Sequence, residues 1–135
     1  MNALIYDNTG KILKSLSMPP EFYSLQLNVN EFLYTKEVNL QDNLDLYFIV
    51  NNSLTIRPTQ LTTLDKTTIT ANGVDIISIT NAPDGTFTAV NTVTKDTITG
   101  PINGSDTFST TIAGTYKITI VAWPYLDFET TIEAV

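Results

Sequence analysis

From Gly114 to Trp123 the chain reads GTYKITIVAW, and from Tyr116 the residues alternate as they must in a strand. Tyr116, Ile118, Ile120 and Ala122 share one face, which the pattern assigns to a core. Lys117 and Thr119 lie on the other face, joined near the end by Val121 and Trp123, so both faces become covered there. Pro124 breaks the strand, and Asp127 to Ala134 reads as a last one. Further strands are predicted at Thr67–Ala71, Val74–Thr80, Thr86–Val93, Asp96–Thr99 and Thr107–Ile112. Their separators are Asn72-Gly73, the run from Asn81 to Gly85, Gly100-Pro101 and Asn103-Gly104. Short strands at this spacing predict an immunoglobulin-like β-sandwich over residues 67–135.

The first part of the chain has a different rhythm. Ala3 to Tyr6, the turn Asp7-Asn-Thr-Gly10 and Lys11 to Ser17 predict a hairpin. Met18-Pro19-Pro20 stops it and favours one short helix over Glu21 to Leu27, with Phe22, Leu25 and Leu27 laid on the hairpin. Glu31 to Glu37 is a predicted strand. A second hairpin runs from Asp45 to Pro58, turning at Asn51-Asn52, residues that tolerate left-handed backbone. Residues 59–66 read as a linker. The expected fold is all-β: a small β-hairpin module with one short helix over 1–58, followed by the sandwich.

Composition narrows the chemistry. The 135 residues carry 7 Lys+Arg against 14 Asp+Glu, a net charge of -7. Residues 1–60 hold four cationic and six acidic residues (-2), and residues 61–135 hold three and eight (-5). That balance disfavours binding a nucleic-acid backbone or an anionic membrane. Cysteine is absent, removing disulfides and thiolate metal sites. Histidine is absent too, so no serine has its usual activating base, and no G-x-S-x-G elbow occurs. No basic-then-apolar leader and no membrane-spanning apolar run is visible, so synthesis in a cytoplasm is expected. Asp84, Asp96 and Asp106 fall in or beside turns, where loops at one end of a sandwich could gather them around Ca²⁺, but their spacing matches no calcium loop. Turn preference alone explains them. The expectation is a protein with no catalytic residues, no cofactor and no metal.

Aromatic residues remain as candidates for binding. Phe22, Tyr23, Phe32, Tyr34, Tyr47 and Phe48 crowd the first module, which is too small to bury six rings comfortably, so part of this set is expected to face a partner. Trp123 and Tyr125 flank the Pro124 break. They are candidates for a sugar-stacking or partner-anchoring surface; the competing reading makes Trp123 a plug of the core, with Tyr125 and Phe128 folded over it.

Two stretches resemble known proteins. IYDNTGKILKSLSMPPEF (from Ile5) and LYFIVNNSLTIRP (from Leu46) resemble the opening of small tailed-bacteriophage proteins associated with tails and tail fibres. AGTYKITIVAWPYLDFE (from Ala113) resembles the closing strands of immunoglobulin-like modules on phage virion proteins. Together they span about half the chain. The resemblance implies a structural virion component, tail-associated, that binds other virion proteins, in multiple symmetric copies where the particle is symmetric. Within that picture Phe22, Tyr23, Phe32, Tyr34, Trp123 and Tyr125 are the candidate partner-binding residues. A capsid decoration protein, or a carbohydrate-binding module that meets a host surface glycan, are the alternatives.

Overall fold

A computed structural model of the chain describes residues 3–36 and 43–135, and these form two compact units, 1–57 and 58–135. The fold is all-β, as the alternation predicts. The end of the expected strand at Glu37 lies outside the described residues.

The first unit is built on strand β1 (Ala3–Asp7), which lies between β2 (Ile12–Leu16) and β3 (Glu31–Tyr34) in an antiparallel sheet. The β1–β2 register slips between Ile5 and Tyr6, giving β2 one extra residue, so that the chain bends where Leu13 turns out to solvent. Both faces of the sheet are covered. Ala3 and Ile5 pack with Leu16, Leu27 and Tyr23, the last from a 3-10 helix over Pro20–Gln26. Leu4 packs on the other face with Tyr34, Ile49 and Leu54, from a hairpin of β4 (Tyr47–Val50) and β5 (Ser53–Ile56).

The 3-10 geometry corrects the expected helix face. At three residues per turn, Tyr23 points inward while Phe22 and Leu25, eclipsed at i and i+3, point out; Leu27 alone of the predicted trio reaches the core. The β4–β5 turn is as predicted: Asn51 and Asn52 have φ of 51° and 57°, and Val50 pairs with Ser53, the two-residue loop that suits a twisted hairpin. This hairpin docks on the β1–β2 turn through Gly10, whose carbonyl accepts the Ile49 N–H at 2.9 Å. A side chain at Gly10 would strike the Ile49 carbonyl, and its φ of 84° excludes most residues in any case. A short 3-10 turn at Leu44–Leu46 precedes β4, and Arg57 closes the unit by donating from its backbone to Leu46 O at 2.8 Å and from its guanidinium to Asp45 O at 3.0 Å.

The second unit is one curled six-stranded sheet. It comprises β6 (Thr63–Leu64), β7 (Thr68–Ile69), β8 (Ile77–Asn91), β9 (Thr97–Phe108), β10 (Gly114–Val121) and β11 (Phe128–Ala134). Four predicted strands have merged into two, β8 and β9. The separators Asn81–Gly85 and Asn103-Gly104 lie at bulges, while Gly100-Pro101 pairs in regular register: β8 advances three residues for two on β9 from Ile79↔Asp106 to Ala82↔Gly104, and again to Gly85↔Ile102. Asn81 (φ 59°) and Gly104 (φ 84°) sit at this bend and take the conformations it needs. Pro101 is tolerated because β9 pairs only with β8.

The bend gives the sheet two leaves. Ile77, Ile79 and Phe108 lie before it on the hairpin and face Ala89, Phe87, Ile118, Ile120 and Ile132 beyond it, so the leaves close a sandwich core. Tyr116, Ile118, Ile120 and Ala122 are all at most 2% exposed, as their alternation requires. The Tyr116 hydroxyl donates to Ile112 O at 2.8 Å and lies 2.9 Å from the Thr110 hydroxyl. A tyrosine at the start of a strand bonded back to the preceding corner is a hallmark of immunoglobulin-like sandwiches.

The stretch expected as a linker belongs to this unit. Thr63 and Leu64 pair with Thr80 and Ile79. Gln60, 7% exposed, donates from Nε2 to Ile120 O (2.9 Å) and Leu126 O (3.0 Å), while its Oε1 accepts from the Thr62 hydroxyl (2.8 Å). A long amide with both ends engaged satisfies carbonyls left over where β10 ends. Replacing Gln60 with Met keeps the volume and removes all three bonds, and is expected to cost about 2–4 kcal/mol in chemical denaturation. A fragment of residues 58–135 should fold as the intact unit does, whereas residues 67–135, lacking Gln60 and β6, should unfold at clearly lower denaturant. Equal midpoints for the two fragments would mean that the first residues of the unit contribute nothing.

Candidate partner-binding surfaces

The structure separates the six candidate residues. Tyr23 and Tyr34 are core residues, 3% and 5% exposed, and the Tyr34 hydroxyl accepts the Leu54 N–H at 3.4 Å. Each is the inward residue of its element, so neither is available to a partner in the folded unit. Phe22 and Phe32 are about half exposed, at 47% and 46%. They lie on different layers: Phe22 on the outer side of the 3-10 helix, Phe32 on the sheet face that carries the β4–β5 hairpin.

The helix side is an apolar surface. Leu25 is 74% exposed beside Phe22, and Val29, 89% exposed, follows just after the helix. Nothing in their own unit calls for three large apolar side chains in water.

The hairpin side carries a groove of about 370 Å³. Its lining combines Tyr6, Phe32, Phe48, Ile49 and Val50 with the turn from Asp7 to Gly10 and with Asn51. Tyr6 and Phe32 are cross-strand partners, with ring centroids 5.6 Å apart at an interplanar angle of 33°. Leu4 and Tyr34, the next pair along this face, lie under the hairpin; Tyr6 and Phe32 extend past it. Asp7 builds the wall: its Oδ1 accepts from Thr9 N (2.9 Å), the Thr9 hydroxyl (2.6 Å) and Lys11 N (3.1 Å). Burial raises the Asp7 pKa, but the Thr9 and Lys11 hydrogen bonds and the Lys11 charge outweigh it and hold the carboxyl below its ordinary value.

Trp123 and Tyr125 occupy the bend after β10, both half-buried. The Trp123–Pro124 peptide is cis, and Tyr125 N donates to Ala122 O at 2.8 Å. Phe128 packs against Ile120 and Ile102 in the core, on the opposite side of the strand from the position expected for a cover on Trp123. Tyr125 lines a shallow groove of about 460 Å³ with Leu61, Ala82 and Pro83. Trp123 is not among the residues that line this groove.

Asp84, Asp96 and Asp106 are exposed, and among the described residues no group of three or more acidic side chains is placed to hold a metal ion. No described helix is long and apolar enough to cross a membrane. Sequence reading missed Tyr6 as a site residue because it looks like an ordinary strand aromatic, and only the Tyr6↔Phe32 register places it beside an exposed partner; Phe48 stood in the crowded aromatic set but not among the six candidates. No protein family, curated protein or solved structure matches the chain.

The Asp7 arrangement has a pH signature. A carboxyl with a depressed folded pKa stabilises the fold above its unfolded value, near pH 4, and loses that contribution as pH falls through the folded value. Denaturation midpoints of the wild type should therefore fall more steeply below about pH 4 than those of Asp7→Asn, with the two curves converging in acid. Parallel curves would show that the turn gains nothing from the charge.

Proposed function

We propose that the chain is a non-enzymatic structural component of a tailed-phage virion, tail-associated, that acts by binding other virion proteins through its first unit. The observation that carries this reading is the exposure of Phe22 and Leu25 on the outer side of a helix whose inner side is already committed to a core, followed in sequence by the exposed Val29. A surface of this kind is suited to burial against another protein. The resemblance of the N-terminal segment to tail and fibre proteins supplies the particle. A capsid position is the alternative within the same class.

The second unit suits the complementary role. Its core is closed between two leaves, and it carries most of the net negative charge, with three cationic against eight acidic residues after position 60. Those properties favour water over a large buried interface.

The test is incorporation. A Phe22→Asp, Leu25→Asp double variant should lose no more than about 1–2 kcal/mol of stability and stay folded, since Leu25 is mostly exposed and Phe22 is only half-buried. Its copy number in purified particles should fall by about tenfold or more, as expected when two anchors of an interface are charged. Unchanged incorporation would remove the helix face from the interface. Copy number itself separates a tail position from a capsid one, because the two have different symmetry.

A further inference from the structure

The groove on the hairpin side has a chemistry of its own, independent of the docking face. Its ledge is the Tyr6–Phe32 pair, with Phe32 46% exposed, and Phe48 lines the groove with them. Its polar rim is Asn8 and Asn51, both exposed, whose side-chain amides make no hydrogen bond among the described residues. The turn wall is held in place by the Asp7 bonds to Thr9 and Lys11 and by the Gly10–Ile49 bond, so the groove is formed before any ligand arrives. Its volume of about 370 Å³ lies at the lower end of the range for small-molecule sites, roughly 300–1,000 Å³.

We propose that this groove binds a neutral saccharide. A pyranose has one face of C–H bonds and a rim of hydroxyls. The first fits against an aromatic ledge, and the second fits side-chain amides, each of which offers a donor and an acceptor to neighbouring hydroxyls. The competing flat ligand, a nucleobase in a strand, brings phosphates toward a protein of net charge -7. An acidic sugar brings a carboxylate toward Asp7, the ionisable acid of the groove lining. Neutral sugars avoid both penalties.

The experiment uses the full chain, a panel of neutral and acidic oligosaccharides on an array, and titration calorimetry with the best neutral binder. Phe32→Ala removes half of the ledge. Asn51→Gly removes an amide while keeping a residue that tolerates the left-handed turn (φ 51°). Wild-type protein should bind neutral members in preference to acidic ones, and each variant should weaken binding by about tenfold or more with its melting midpoint close to wild type. Absence of neutral-sugar binding, preference for acidic sugars, or affinity that survives both variants would overturn the proposal. So would burial of Phe32 against another protein in the assembled particle, measured by covalent labelling, because the groove would then be a protein contact. Loss of particle incorporation in the helix-face variant leaves this outcome unaffected, since Phe22 and Leu25 lie on the other layer of the unit.

Discussion

The β8–β9 hairpin has to bend, and most of the second unit follows from how it does so. A flat sheet of these strands would leave the apolar face of Ile77, Ile79, Ala89, Phe108 and Ile118 open to water. Two bulges, each giving β8 one residue more than β9, turn the hairpin so that its ends face one another across a single core. β6 then pairs beside the first part of β8, and β10 beside the second. The Tyr116 corner and the Gln60 amide secure opposite ends of β10, which gives Tyr116, Ile118 and Ile120 to the core.

The first unit solves the same burial problem with layers. β1 is covered on both faces, so Ala3, Leu4 and Ile5 in succession are fully buried. The cost of this economy is that the covering elements are thin. A 3-10 helix of seven residues and a hairpin of two four-residue strands cannot hide their own outer side chains. Phe22 and Leu25 on one layer, and Phe32 and Tyr6 beyond the other, are the consequence. The proposed binding roles arise from what a small three-layer unit leaves uncovered.

Where a signal was local, the sequence disclosed it. Alternation from Tyr116 to Ala122 named the buried face, and Asn51-Asn52 named the tightest turn. Signals with two physical meanings misled. Asn81 and Gly104 tolerate positive φ, which serves a turn and a bulge equally well, so two long strands looked like four short ones. Gln60 sits in a Pro- and Thr-rich stretch that reads as a linker, and its partners Ile120 and Leu126 are about as far along the chain as a contact in this unit can be. Tyr23 and Tyr34 were sound candidates by type, and only the helix geometry and strand register show them turned inward. Phe32 survives as a candidate, joined by a neighbour, Tyr6, that cross-strand pairing alone reveals.

The central claim is a division of labour, in which residues 1–57 bind and residues 58–135 stand as a closed sandwich. Hydrogen exchange of the chain alone, compared with the same chain inside its particle, tests it most directly. In isolation the slowest amides should lie in β10 and the second part of β8, where each strand is paired on both sides. On assembly, added protection should concentrate between residues 20 and 29. Added protection confined to residues 58–135, with the helix side exchanging as freely as before, would contradict the account.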